Sequence, residues 1–169
     1  LVSNPNYKNS DKNLNLSLDA TSIDRLATSG YKSNVTGFSI GTQFEFLDDL
    51  RLGLSTKNII EKIDVDASAS TKQKKQDGNY FDSFIGVDFL YDKRNQRYQT
   101  TSGFFSNYSV NMPILSDTNT LTNTYNYKVF KELYENNVST LSILFKGASS
   151  LSGDDIKLSE RLYIPGRKL

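Results

Sequence analysis

The chain has 169 residues and a mass of 19.0 kDa, with 20 lysines and arginines against 19 aspartates and glutamates. A formal net charge of +1 argues against a polybasic nucleic-acid binder. The absence of histidine and cysteine excludes Ser-His-Asp triads, Cys-His pairs, histidine or thiolate metal sites and disulfides. No apolar run approaches the roughly 18 to 20 residues of a membrane-spanning helix. The opening LVSNPNYKNS lacks the basic and apolar regions of a signal peptide, so the chain reads as an internal piece of something longer.

Serine, threonine and asparagine are abundant, and ten tyrosines and ten phenylalanines supply all the aromatic content. That text favours strands and turns over helices. Residues 1–7 read as the end of a preceding strand, and strict alternation then recurs seven times over residues 13–150. The first stretch sets Leu14, Leu16, Leu18 and Ala20 against Asn13, Asn15, Ser17 and Asp19. The second sets Phe38, Ile40, Phe44 and Phe46 against Gly37, Ser39, Gly41, Gln43 and Glu45. The third starts on Leu50, Leu52 and Leu54, changes parity at Ile59 and Ile60, and resumes at Ile63, Val65 and Ala67; the slip predicts a bulge or an irregular crossing. Phe81, Ile85, Val87, Phe89 and Tyr91 form the fourth apolar face, opposite Asp82, Gly86, Asp88 and Asp92. Phe104, Tyr108, Val110, Met112 and Ile114 form the fifth, Tyr125, Tyr127 and Val129 the sixth, and Leu141, Ile143 and Phe145 the seventh.

Connector lengths predict a meander. Tight turns fall at Asp48-Asp49 and at Glu135-Asn136-Asn137, an intermediate link at 92–102, and longer links at 23–34, 67–79 and beyond 150. Short loops at one end and long ones at the other characterise outer-membrane barrels. Strands of ten residues or more match the roughly 9 to 11 that cross the hydrocarbon core at a tilt, whereas soluble strands usually stop at about five or six. Alternation by itself fits both a lipid-facing wall and a soluble β-domain with a binding role. The polar face is rich in glycine, serine, asparagine and aspartate, as in a crowded polar lumen. Tyr31, Tyr80, Tyr91, Tyr98 and Tyr108, near strand ends, fit interfacial girdles and equally fit ordinary strand aromatics.

Three segments in order carry a family resemblance. They are LVSNPNY at the start, YDKRNQRYQTTSGFF (Tyr91, Asp92, Arg94, Thr100 and Gly103) and ERLYIPGRKL at the end (Glu160, Arg161, Tyr163 and Gly166). The succession resembles the barrel of the BamA-like outer-membrane assembly factors, the bacterial surface antigen family. Gln99 stands where that family usually carries proline, Pro165 replaces the first glycine of a pair, and the family's Arg-Gly-Phe tip does not occur before Leu169. The resemblance implies an all-β, antiparallel up-and-down meander of about seven strands. They would run from about the fifth to the eleventh strand of a sixteen-strand transmembrane barrel, with residues 151–169 opening a long extracellular loop. Seven strands leave two edges unpaired, so a fragment of the barrel is expected.

The resemblance also implies an outer-membrane location and a function in folding and inserting β-barrel proteins. Its implied partners are the lipid bilayer, client outer-membrane proteins and accessory lipoproteins. A related polypeptide-secreting barrel is the alternative. Glu160 or Arg161 is expected to make a buried charge-assisted contact to the inner wall. No cofactor, metal or nucleic-acid partner is expected, and no catalytic constellation is found. Asp48-Asp49 and Asp154-Asp155 read as turn residues, and Lys72, Lys74 and Lys75 as a solvated loop or a contact for lipopolysaccharide phosphate.

Overall fold

The computed structural model describes residues 1–135 and 137–162. They form one open antiparallel sheet in strict chain order. A stub, β1 (Val2–Asn4), precedes seven long strands. These are β2 (Asn13–Arg25), β3 (Tyr31–Leu47), β4 (Leu50–Val65), β5 (Gly78–Asp92), β6 (Ser102–Ser116), β7 (Thr120–Tyr134) and β8 (Asn137–Ser150). The helices are single turns, α1 (Leu26–Ser29) and α2 (Thr71–Lys74), with 3-10 turns at Tyr7–Asn9 and Leu158–Glu160. The all-β meander is therefore as expected.

Register turns seven separate alternations into two continuous surfaces. Phe44, Leu52, Phe89, Tyr108, Tyr125 and Phe145 are successive cross-strand partners on one face. One residue along, Gln43, Gly53, Asp88, Ser109, Thr124 and Lys146 make the matching row on the other. Because the side-chain period is two, each of these pairings keeps the two rows on opposite sides of the sheet.

The apolar face is open. Leu18 is 84 % exposed, Ile60 65 % and Phe145 59 %, and Phe38, Ile85, Met112 and Ile143 are exposed beside them. Among the described residues no second sheet or helix layer covers this face. Apolar side chains across seven strands of 13 to 17 residues thus lack the dry core that a soluble sandwich supplies. Lipid is the solvent that suits such a wall.

Three expectations are corrected. β4 has no bulge at Ile59 and Ile60, which pair in continuous register with Gly37 and Thr36; the register shifts lie at Glu45/Leu47, Ser83/Phe84 and Glu132/Tyr134. The apolar residues change face there because Ile63 and Val65 belong to an apolar cluster on the polar side. The link expected at 23–34 is mostly strand, since Ser22 pairs with Asn34 and Asp24 with Lys32, leaving only 26–30 as connector. Lastly, Tyr31 and Tyr80 are not girdle residues; they face the polar side, where Tyr31 is buried. Tyr91 does lie on the apolar face, with its ring 5.4 Å from that of Phe104, which in turn lies 6.0 Å from Tyr127.

Candidate functional site

The polar face is mostly short side chains, yet its β3–β5 end holds a buried apolar cluster: Tyr31, Ile63 and Leu158, with Val65 and Tyr80 packed around them. Tyr31 and Ile63 come from neighbouring strands. Leu158 comes from the loop after β8, which crosses β7 and β6 to lie here. The loop therefore folds back over the polar face.

A charge cluster sits beside that contact. Lys157 Nζ lies 2.9 Å from Glu61 Oε2 on β4, is paired with Asp82 Oδ2 on β5, and stands 3.6 Å from Glu160 in its own loop. Lys157, Glu61 and Asp82 side chains are at most 3 % exposed. Burial acts to lower the Lys157 pKa, but the carboxylates of Glu160, Asp82 and Glu61 outweigh it and hold the ammonium above its ordinary value. Burial pushes the Glu160 carboxyl above its ordinary value, against the pull of the Lys157 ammonium and the Thr120 hydroxyl. Ser159 adds a hydroxyl bond of 2.9 Å to Glu61 Oε2.

The 66–77 connector completes the site. Ser70 caps α2 in a reciprocal capping box with Gln73, whose amide also donates to the Ser29 carbonyl at 3.0 Å and so ties the two connectors together. Gln76 follows, with its side chain against the loop backbone: Oε1 accepts from Leu158 N–H at 2.8 Å and Nε2 donates to Ile156 O at 3.4 Å.

A barrel-wall sheet whose polar face receives the loop after its last strand agrees with the comparison to known families, in which a model of the Omp85 superfamily domain matches residues 2–168. The chain belongs to the Omp85 superfamily. At the level of the family, Omp85 proteins are outer-membrane barrels of assembly or transport, consistent with the resemblance to BamA-like members. No curated protein matches the chain significantly.

In this Omp85 domain the expected site residues fall into two places. The wall contact sought from Glu160 or Arg161 is carried by Lys157 and Ser159, with Glu160 joining through Lys157 and Thr120. Arg161 donates from Nε to the Ile156 carbonyl at 2.9 Å, bracing the loop internally. Tyr163 and Gly166 lie outside the described residues. Sequence reasoning missed Lys157, Leu158 and Gln76. A signal was present in the apolar residues that change face on β4, which mark a socket on an otherwise polar surface.

At the opposite end, the Tyr91-to-Gly103 motif forms the β5–β6 turn. Arg94 donates to both oxygens of Asp92 at 2.8 Å, and its guanidinium stacks 5.0 Å from the Phe105 ring centroid. Thr100 Oγ1 donates to Gln96 O at 2.6 Å, closing the turn tip. Gln99 there has φ +53°, which proline cannot adopt, so its departure from the family pattern has a conformational counterpart. Gly103 has φ +97°, and a Cβ would stand 2.1 Å from the Lys93 carbonyl oxygen. Only glycine fits that approach.

Proposed function

We propose that this Omp85 domain is part of the wall of a sixteen-strand barrel that folds and inserts other β-barrel proteins, working without covalent chemistry. The observation that carries the reading is the open apolar face across seven long strands, backed by a polar face on which a loop is seated. The ordered motifs around Asn4-Pro5, Tyr91–Gly103 and Glu160-Arg161 support a BamA-like member, and the number of periplasmic repeats upstream separates insertion from secretion.

The physical route is strand templating at a separable seam next to a thinned bilayer, where unpaired backbone donors and acceptors pair with an incoming strand. Residues 13–150 would form a braced part of the wall away from that seam. Client outer-membrane proteins and accessory lipoproteins are the partners this reading calls for.

The test is reconstitution of the whole protein in liposomes with an unfolded barrel client, following the client's heat-resistant folded band on a gel. Client folding well above the empty-liposome rate is expected. Folding at the empty-liposome rate, together with passage of a polypeptide into the lumen, would replace this reading with secretion.

A further inference from the structure

The wall side of the Lys157–Leu158 contact is held in place by its own neighbours. Asp82 commits Oδ1 to Thr118, accepting from its N–H at 3.3 Å and its hydroxyl at 3.1 Å, which leaves Oδ2 for Lys157. Glu61 divides in the same way: Oε1 accepts from the Ser33 hydroxyl, and Oε2 faces Lys157 and Ser159. Gln76 is fixed by its N–H to Gln73 O at 2.9 Å and by the Tyr80 hydroxyl, which donates to Gln76 O at 2.9 Å. Its amide then reads the loop backbone on both sides of Lys157. Tyr31, Ile63, Val65 and Tyr80 supply an apolar socket for the next side chain.

Backbone reading by a fixed amide, an acidic pocket for one side chain and an apolar pocket for its neighbour are the parts of a peptide-recognition site. We propose that the polar face at β3–β5 is a receptor for an extended peptide carrying lysine followed by a leucine-sized residue, with residues 156–158 as its resident ligand. Two buried carboxylates, each bonded by the wall on only one oxygen, leave the other oxygen of each to the seated segment. A point-charge ammonium suits them, since it meets Glu61 and Asp82 together and lies 5.4 Å over the Tyr80 ring. Asp82 is 75 positions from Lys157 and Glu61 is 98 from Ser159, so recognition, not chain proximity, seats the segment. The same segment offered in trans therefore binds once the resident one is erased. This holds whether the barrel inserts clients or secretes them.

The experiment uses the whole protein in detergent with Lys157→Ser and Leu158→Ser, and a fluorescent peptide of residues 153–162 as probe. Saturable binding is expected, weakened about tenfold or more by adding Glu61→Gln and Asp82→Asn. A peptide with the same residues scrambled should bind no better than that weakened level. Equal binding by the scrambled peptide, or binding indifferent to the wall substitutions, overturns the proposal. Should the serine variant not give a heat-resistant barrel, Lys157 acylation in the unsubstituted protein is read by mass spectrometry. Excess unlabelled peptide should displace the loop and speed acylation of Lys157, and an unchanged rate overturns the proposal.

Discussion

Lys157 Nζ and Glu61 Oε2 stand 2.9 Å apart with both side chains 3 % exposed, so the loop after β8 is tied by a dry ion pair to β4, across β7, β6 and β5. Taking one partner from a buried pair is more damaging than replacing the whole set, because the remaining charge has neither water nor a counter-ion. Lys157→Met should therefore destabilise the docked loop by about 3–5 kcal/mol. Protease cleavage near Gly153 should rise accordingly. Adding Glu61→Gln and Asp82→Asn should recover much of the loss, so the triple variant should be less sensitive than the single one. Strict additivity would show that the residues do not act as a unit.

The loop should also respond to pH through Glu160. Its carboxyl is raised above 4.5 in the folded protein, so the unfolded state ionises first as pH increases. The stabilising contribution is fully present below pH 4.5 and is lost as pH rises through the raised value. Glu160→Gln should flatten the profile there and leave the loop harder to cleave at neutral pH. Lys157 is raised as well, so its contribution holds below pH 10.5 and is lost at higher pH still. Protease sensitivity of the 151–155 segment measured against pH tests both, and release of the loop driven by Glu160 on acidification would contradict the sign.

Gly103→Ala places a side chain at φ +97° with its Cβ against the Lys93 carbonyl oxygen. The expected loss is about 2 kcal/mol or more, since both strain and overlap must be relieved. Folded yield after refolding into detergent should drop, while Gly153→Ala provides a contrast: its φ is also positive, at +83°, but nothing lies within 4 Å of the added atom.

A charge on the open face should expose which solvent it meets. Ile85→Arg, on the apolar side midway along β5, should cost about 2–4 kcal/mol in a bilayer, as expected for arginine at the midplane of a barrel. Asn107→Arg on the polar face should change stability far less. Urea midpoints in lipid vesicles give the comparison. Equal effects would mean that the apolar face is not in hydrocarbon.

Local patterning determined much of this molecule. Leu14 to Ala20, Phe81 to Tyr91 and Leu141 to Phe145 alternate with the period that a strand requires, and tight turn residues at Asp48-Asp49 separate neighbours that must run antiparallel. From these alone come seven long strands, their order and the two faces. A side chain's face depends only on its own strand's parity, which is local information.

The tertiary structure decided what each face meets. The same alternation suits a dry core or a lipid boundary, and only the absence of a covering layer among the described residues separates them. The loop-to-wall contact was hidden for a related reason. Lys157 and Asp82, or Ser159 and Glu61, are far apart in sequence, and no short-range period links them. Where Ile63 and Val65 turned to the polar side, the break in pattern resembled a bulge, because a one-residue register slip and a local apolar socket leave the same mark on a strand's alternation. Distinguishing them required knowing that Leu158 returns from β8 to fill the space.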